Sequence, residues 1–170
     1  MSFSFTGSGA LSASLSLNKD MAKKVYRGAS LLTPESKVLT EENFSDDEMV
    51  MIFRTFLYPV IVKPADGIHA LGVKVARTLH ELKEAVKETL KHSRKALVEE
   101  FIKGREASCA VLERAKGERL YSFLPVGDSS IKDNQEICEM AKRAHEVLGL
   151  RHYSSSDFII TPKGRIYILE

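Results

Sequence analysis

Hydrophobic positions along this chain follow two spacings, and the switches between them outline its elements. Leu11 and Leu15 stand four apart in a small-residue segment, Ala10 to Leu17, which reads as a short helix. Leu17, Met21 and Val25 then recur at helical spacing around Asn18, a good N-cap, and Gly28 falls where that helix would stop. Ser45-Asp46-Asp47-Glu48 has the form of a capping box, and Met49, Ile52, Phe53 and Phe56 supply one apolar face behind it. Thr78-Leu79-His80-Glu81 repeats the signature ahead of Leu79, Leu82, Val86 and Leu90. A last helix rests on Ile137, Ala141, Ala144 and Leu148 and is closed by Gly149.

Strand-like runs separate these helices. Tyr58 to Lys63 is β-branched and ends in Lys63-Pro64; Val73 to Val75 is a short partner for it. Ala96-Leu97-Val98 meets Glu99 and Glu100, continues through Phe101 and Ile102, turns at Lys103-Gly104 and reaches Glu106. Ala107 to Leu112 and Arg119 to Pro125 flank the turn Ala115-Lys116-Gly117-Glu118. Tyr153 to Ile160 and Arg165 to Leu169 flank Thr161-Pro162-Lys163-Gly164. Helices mixed with antiparallel hairpins predict an α+β fold, with a helical entry segment and first lobe over 1–96 and a second lobe over 97–170. The stretch from Ala96 to Glu106 reads as a hinge whose carboxylates face a ligand; it reads equally as a strand with a solvated acidic end.

Composition narrows the function classes. With 44% hydrophobic residues in 170, the chain can bury a real core. Net charge is +2 and no basic block is interleaved with aromatics, which argues against nucleic acid. No apolar run approaches a membrane span, and Met1 to Leu17 lacks the basic start and apolar centre of a signal peptide. Cys109 and Cys138 have neither metal-type nor redox-type spacing and read as two isolated thiols, as expected of a protein of the reducing cytoplasm.

Several charged residues sit where chemistry would need them. Lys19 stands at a helix N-terminus, where a cation is misplaced unless an anion joins it. Lys63 is delivered to the end of an apolar strand, and the loop Ala65 to Gly72 carries two glycines that permit close backbone approach to a phosphate. Asp157 enters one strand of the final hairpin and Glu170 leaves the other. Antiparallel pairing brings both to one end, where two hard oxygen ligands can hold Mg²⁺. Each of these positions is also compatible with a plain solvated side chain. Together they describe an ATP site without a Walker loop.

The set resembles the ATP-grasp superfamily and, within it, D-alanine–D-alanine ligase. The matching stretches are Phe5-Thr6-Gly7-Ser8-Gly9, Asn18-Lys19, Val60 to Pro64, Val98 to Glu106, Ser156-Asp157-Phe158 and Ile166 to Glu170. The resemblance implies two α+β lobes with antiparallel sheets holding a nucleotide. It implies that Lys19 and Lys63 contact phosphates, that Glu99 accepts from the adenine amino group, and that the backbone of Glu100, Phe101 and Ile102 supplies its other contacts. Glu106 would hold the ribose, and Asp157 and Glu170 would bind Mg²⁺. The implied cofactors are ATP and Mg²⁺. The implied substrate is a small amino acid, activated as an acyl phosphate and joined to an amine for peptidoglycan precursor synthesis. A homodimer is expected of the full-length form.

The chain also departs from that family. Ile68-His69-Ala70 stands where a Gly-Ser-Ser phosphate loop is usual. Ser155 stands where the family places a catalytic arginine, and losing such a charge typically costs on the order of 10²–10³ in rate. The connection from Pro125 to Asp133 is too short for the family's lysine-bearing lid, and the chain stops at Glu170, before an expected asparagine ligand. These departures suggest a fragment or a truncated gene, with a final strand poorly covered by neighbours. They leave open a degenerate nucleotide-binding module, or a ligase for another carboxylate and amine.

Overall fold

A computed structural model describes residues 5–66, 72–127 and 134–170. The chain forms two compact units. One comprises Leu17–Asp20 and Pro34–Ile102; the other takes in the N-terminal segment to Ser16, Met21–Thr33 and Lys103–Glu170.

The first unit is built on a four-stranded antiparallel sheet ordered β1-β4-β2-β3, with β1 Ser36–Leu39, β2 Val60–Pro64, β3 Lys74–Ala76 and β4 Ala96–Glu100. Helices α3 (Asp46–Thr55) and α4 (Leu79–Leu90) supply its apolar cover. Both start as their sequences predict. Ser45 Oγ accepts from Glu48 N at 3.2 Å, and Thr78 Oγ1 accepts from Glu81 N at 3.1 Å. Glu81 reaches back to the Arg77 N–H at 2.7 Å, so a second orphan donor is satisfied. Met49, Ile52, Leu82 and Val86 pack with Val60, Val62, Ala96 and Val98 in one core. The period of two in β2 and β4 leaves Ile61, Lys63, Leu97 and Glu99 for the opposite face.

The second unit holds a five-stranded sheet: β5 Arg105–Ala115, β6 Glu118–Ser122, β7 Val126–Gly127, β8 Tyr153–Ile160 and β9 Ile166–Ile168. Its main path runs β6-β5-β8-β9, with β7 also pairing β5, all antiparallel. The β5–β6 turn is the two-residue hairpin expected, with Lys116 and Gly117 both at positive φ, 49° and 81°. Helix α5 (Asn134–Val147) buries Ile137, Ala141 and Ala144 against Cys109, Val111, Phe158 and Ile160. Helix α2 (Lys19–Gly28) adds Ala22 and Tyr26 to the same core, and α1 (Ala10–Leu17) precedes it.

Three expectations are corrected. Leu17 and Met21 do not form the buried face of α2; both are 44% exposed, while Ala22, Lys23 and Tyr26 turn inward. Lys23 is completely buried, and its Nζ donates to Thr33 Oγ1 at 3.0 Å. A lysine on the inward face disguises the amphipathic pattern. The last strand is not poorly covered: Ile166 and Ile168 are buried, and Ile168 N–H donates to Leu32 O at 2.8 Å, so an extended segment flanks that edge. Finally, the two cysteines are not isolated. Cys109 Sγ and Cys138 Sγ both point to the Phe123 carbonyl, at 3.3 and 3.6 Å.

Candidate functional site

In the four-stranded unit the polar candidates gather on the sheet face turned away from α3 and α4. Register places Ile61 opposite Glu99 and Lys63 opposite Leu97, which makes Lys63 and Glu99 diagonal neighbours. They form an ion pair at 2.6 Å with side chains only 9% and 4% exposed. Charged groups are rarely this buried unless paired, and burying the pair costs desolvation energy that a fold seeking only stability would avoid. Lys19 is buried too, at 6% exposure. Its N–H, the first of α2, donates to Ala65 O at 2.8 Å, and Asn18 Nδ2 donates to Asp66 Oδ1 at 2.7 Å. These two bonds fasten the start of α2 to the residues that follow β2, so Lys19 and Lys63 come from adjoining segments.

Beyond Glu99 the strand frays by degrees. Glu100 N–H donates to Glu35 O at 3.0 Å, just before β1, and the Glu100 side-chain Oε2 accepts from Glu35 N–H at 3.3 Å. Phe101 is exposed and Ile102 half-buried, and neither belongs to a strand. Gly104 then has a specific reason to lack a side chain. A Cβ there would meet Ile159 Cγ2 at 2.5 Å and the Ile160 carbonyl carbon at 2.8 Å.

In the five-stranded unit a second group lies on the face away from α5. Along β5, Ala107, Cys109 and Val111 face the core, so Glu106 and Ser108 face outward and are exposed. Along β8, Ser156, Phe158 and Ile160 are buried, which puts Ser155 and Asp157 on the same outward side. Ser155 is exposed and faces Ala110 in register. Asp157 is half-buried and faces Ser108, whose hydroxyl donates to Asp157 Oδ1 at 2.5 Å.

The predicted meeting of Asp157 and Glu170 takes a particular form. Leu169 N–H donates to Asp157 O at 2.8 Å, and Asp157 N–H donates to Glu170 O at 2.9 Å. One residue therefore bonds to two on the facing strand, the pattern of a β-bulge. Strict alternation would have set Leu169 alone opposite Asp157; here Leu169 and Glu170 share that place. Tyr26 lies near enough that the Glu170 charge adds to burial in holding its hydroxyl well above the usual phenol range. Among the described residues, no group of three or more acidic, histidine or cysteine side chains converges to hold a metal by itself. Two carboxylates suit Mg²⁺, which keeps its waters and shares phosphate oxygens.

The structure thus brings Lys63 to Glu99 and Asp157 to Glu170, and sets Glu106 and Ser155 on the face that carries Asp157. The phosphate-loop residues Ile68, His69 and Ala70 lie outside the described residues, as does most of the short connection read as a missing lid. Ser108 and Lys23 were passed over in the sequence. Ser108 could have been found two positions after Glu106, on the same strand face.

A family model described as "D-ala D-ala ligase C-terminus" matches residues 25–123. A D-alanine–D-alanine ligase of Desulfotalea psychrophila is 31% identical over 191 aligned residues, covering 98% of this chain and 59% of that protein. D-alanine–D-alanine ligase B of Clostridium perfringens is 32% identical, covering 100% and 61%. Among solved structures, the ligase from Coxiella burnetii superposes with a TM-score of 0.86 at 22% identity, over 97% of this chain and half of that one. The VanG D-Ala:D-Ser ligase from Enterococcus faecalis gives 0.85 at 25% identity, over 97% and 54%. The chain therefore spans little more than half the length of these relatives. The 191-residue alignment also exceeds its own 170 residues, so the Desulfotalea protein carries inserted residues within the matched region. The fold is that of the ATP-grasp ligases, and the chain belongs to the D-alanine–D-alanine ligase C-terminus family.

Proposed function

We propose that this chain is the ATP-binding portion of a cytoplasmic ATP-dependent carboxylate–amine ligase, D-alanine–D-alanine ligase-like, acting in peptidoglycan precursor synthesis. The observation that carries the reading is the buried Lys63–Glu99 pair, set on a sheet face that the hydrophobic core does not use. A lysine and a glutamate fixed in that position can serve a phosphate and an adenine amino group. The pair's desolvation cost then has a functional reason.

In this reading Lys19 and Lys63 bind phosphates, Glu99 and the backbone of Glu100, Phe101 and Ile102 bind adenine, and Glu106 binds ribose. Asp157 and Glu170 would hold Mg²⁺; the backbone bonds that set the two residues side by side support that reading. When bound, the metal would offset charge on the phosphoryl group being transferred to the substrate carboxylate. The chain's own residues would orient the nucleotide and exclude water from its adenine end.

A second reading has one observation in its favour. Ser155 is exposed on the same face as Asp157, where the family places an arginine, and a hydroxyl cannot supply that charge. On this view the chain binds nucleotide without ligating. A third, that the joined amino acid differs from D-alanine, draws on the D-Ala:D-Ser ligase among the structural neighbours.

Calorimetric titration of the chain with Mg-ATP tests the proposal, with phosphate release measured across D- and L-amino acids. Mg-ATP binding at micromolar to millimolar affinity is expected, and no detectable binding refutes it. Little or no phosphate release is expected of this chain alone, and its absence from the full-length protein while Mg-ATP binding persists selects the second reading.

A further inference from the structure

Ser108 and Asp157 stand 49 residues apart in sequence and directly opposite each other across β5 and β8. The Ser108 hydroxyl donates to Asp157 Oδ1 at 2.5 Å. A separation that short is characteristic of O–H···O⁻ bonds, in which the acceptor's charge strengthens the contact. The sheet does not need it: β5 and β8 already pair continuously from Arg105↔Ile160 to Leu112↔Tyr153. The pair also lies on the outward face, where a Ser–Asp contact adds little to stability.

The bond acts on the carboxylate's orientation. An aspartate has two soft torsions, and a half-buried one on an open sheet face samples several rotamers. Holding Oδ1 from the neighbouring strand removes that freedom before any ligand arrives. We propose that Ser108 is a positioning residue for Asp157, fixing one carboxylate oxygen so that the other is offered to a divalent cation shared with Glu170. The inference rests on the metal-binding reading of Asp157 and Glu170 given above. The residue type fits the task. A neutral hydroxyl orients the carboxylate without cancelling its charge; a lysine or arginine in that place would hold the oxygen equally and compete with the metal. Partners of this kind typically contribute about 10–100-fold to metal affinity.

The test uses Mn²⁺ as probe. The whole chain is titrated with Mn²⁺ in the presence of a non-hydrolysable ATP analogue, and free Mn²⁺ is read by electron paramagnetic resonance. Ser108→Ala is expected to raise the Mn²⁺ Kd about tenfold or more, and Ser108→Thr, which keeps the hydroxyl, to restore it to near the wild-type value. Circular dichroism melts of both variants should match the wild type, since a merely structural role would show there instead. A Ser108→Ala protein that binds Mn²⁺ as tightly as wild type overturns this proposal alone. A wild-type chain with no nucleotide-dependent Mn²⁺ binding overturns the metal reading and this proposal with it.

Discussion

Replacing Lys63 with methionine would remove the cation from the most deeply buried ion pair described in the four-stranded unit. The Lys63–Glu99 contact is 2.6 Å long and both side chains are less than a tenth exposed. Loss of one partner from a buried pair costs about 3–5 kcal/mol, because the remaining charge keeps its desolvation penalty and loses its attraction. An exposed pair sets the contrast. Lys87 and Glu84 are 3.4 Å apart with both side chains more than half exposed, and pairs of that kind contribute about 0–1 kcal/mol. Urea unfolding followed by far-UV circular dichroism suits a chain without tryptophan. With a urea slope of about 2 kcal/mol per molar, Lys63→Met should lower the transition midpoint of this unit by about 1.5–2.5 M. Lys87→Met should leave it within about 0.5 M. The double change Lys63→Met/Glu99→Leu should recover most of the loss, since two apolar side chains beside Ile61 and Leu97 need no solvation. A Lys63→Met loss below about 1 kcal/mol, or a double variant no better than the single, would refute the assignment of the pair as a desolvated unit. Recovery of stability together with loss of Mg-ATP binding would show that the pair is kept for the ligand and not for the fold.

Three further outcomes are expected. Gly104→Ala should destabilise the five-stranded unit by about 1–3 kcal/mol or shift the β8 backbone, seen as lost amide protection around Ile159 and Ile160; an unchanged melt would contradict the close approach. Burial holds the His145 imidazole below its ordinary pKa of 6.5, against the opposing pull of Glu113. The unfolded chain therefore takes up a proton first, and stability should fall as pH drops below about 6.5; His145→Asn should flatten that slope, and an equal slope in the variant would remove His145 as its cause. Burial, reinforced by neighbouring Cys138, pushes the Cys109 thiol up to about 12. Native protein should label with a thiol reagent only at its opening rate, and rapid labelling of Cys109 in the folded state would contradict this.

How much of this could be read from the sequence depended on whether the cause was local. The starts of α3 and α4 were legible because the capping residues and the groups they bond are three apart, in Ser45/Glu48 and Thr78/Glu81. The Lys116-Gly117 turn was legible because two residues alone set its handedness. Strand β1 was missed, since four residues with a lysine among them carry no period; its extended form comes from pairing with β4, sixty residues away. The inward face of α2 was misread because Lys23 is satisfied by Thr33, which sequence hydropathy does not register. In the candidate site, the hairpin argument brought Asp157 and Glu170 to one end. The bulge at that end departs from strict alternation, and the hydroxyl that holds Asp157 comes from a strand 49 residues away.

The way the two units share the chain has a consequence for synthesis. The four-stranded unit is complete in sequence once Ile102 has been made. The five-stranded unit draws Ala22, Tyr26 and Leu31 from one end of the chain and Phe158, Ile160 and Ile168 from the other into a single core. On the ribosome the first can close while the second still lacks β8 and β9, at about 5–20 residues added per second. Throughout that interval the apolar side chains of α2 wait without the strands that will cover them. The five-stranded unit, with its long sequence separations, is therefore the slow and aggregation-exposed half of folding. A nascent chain halted between Ile102 and Tyr153 should contain a protease-resistant four-stranded core bearing an unprotected N-terminal segment.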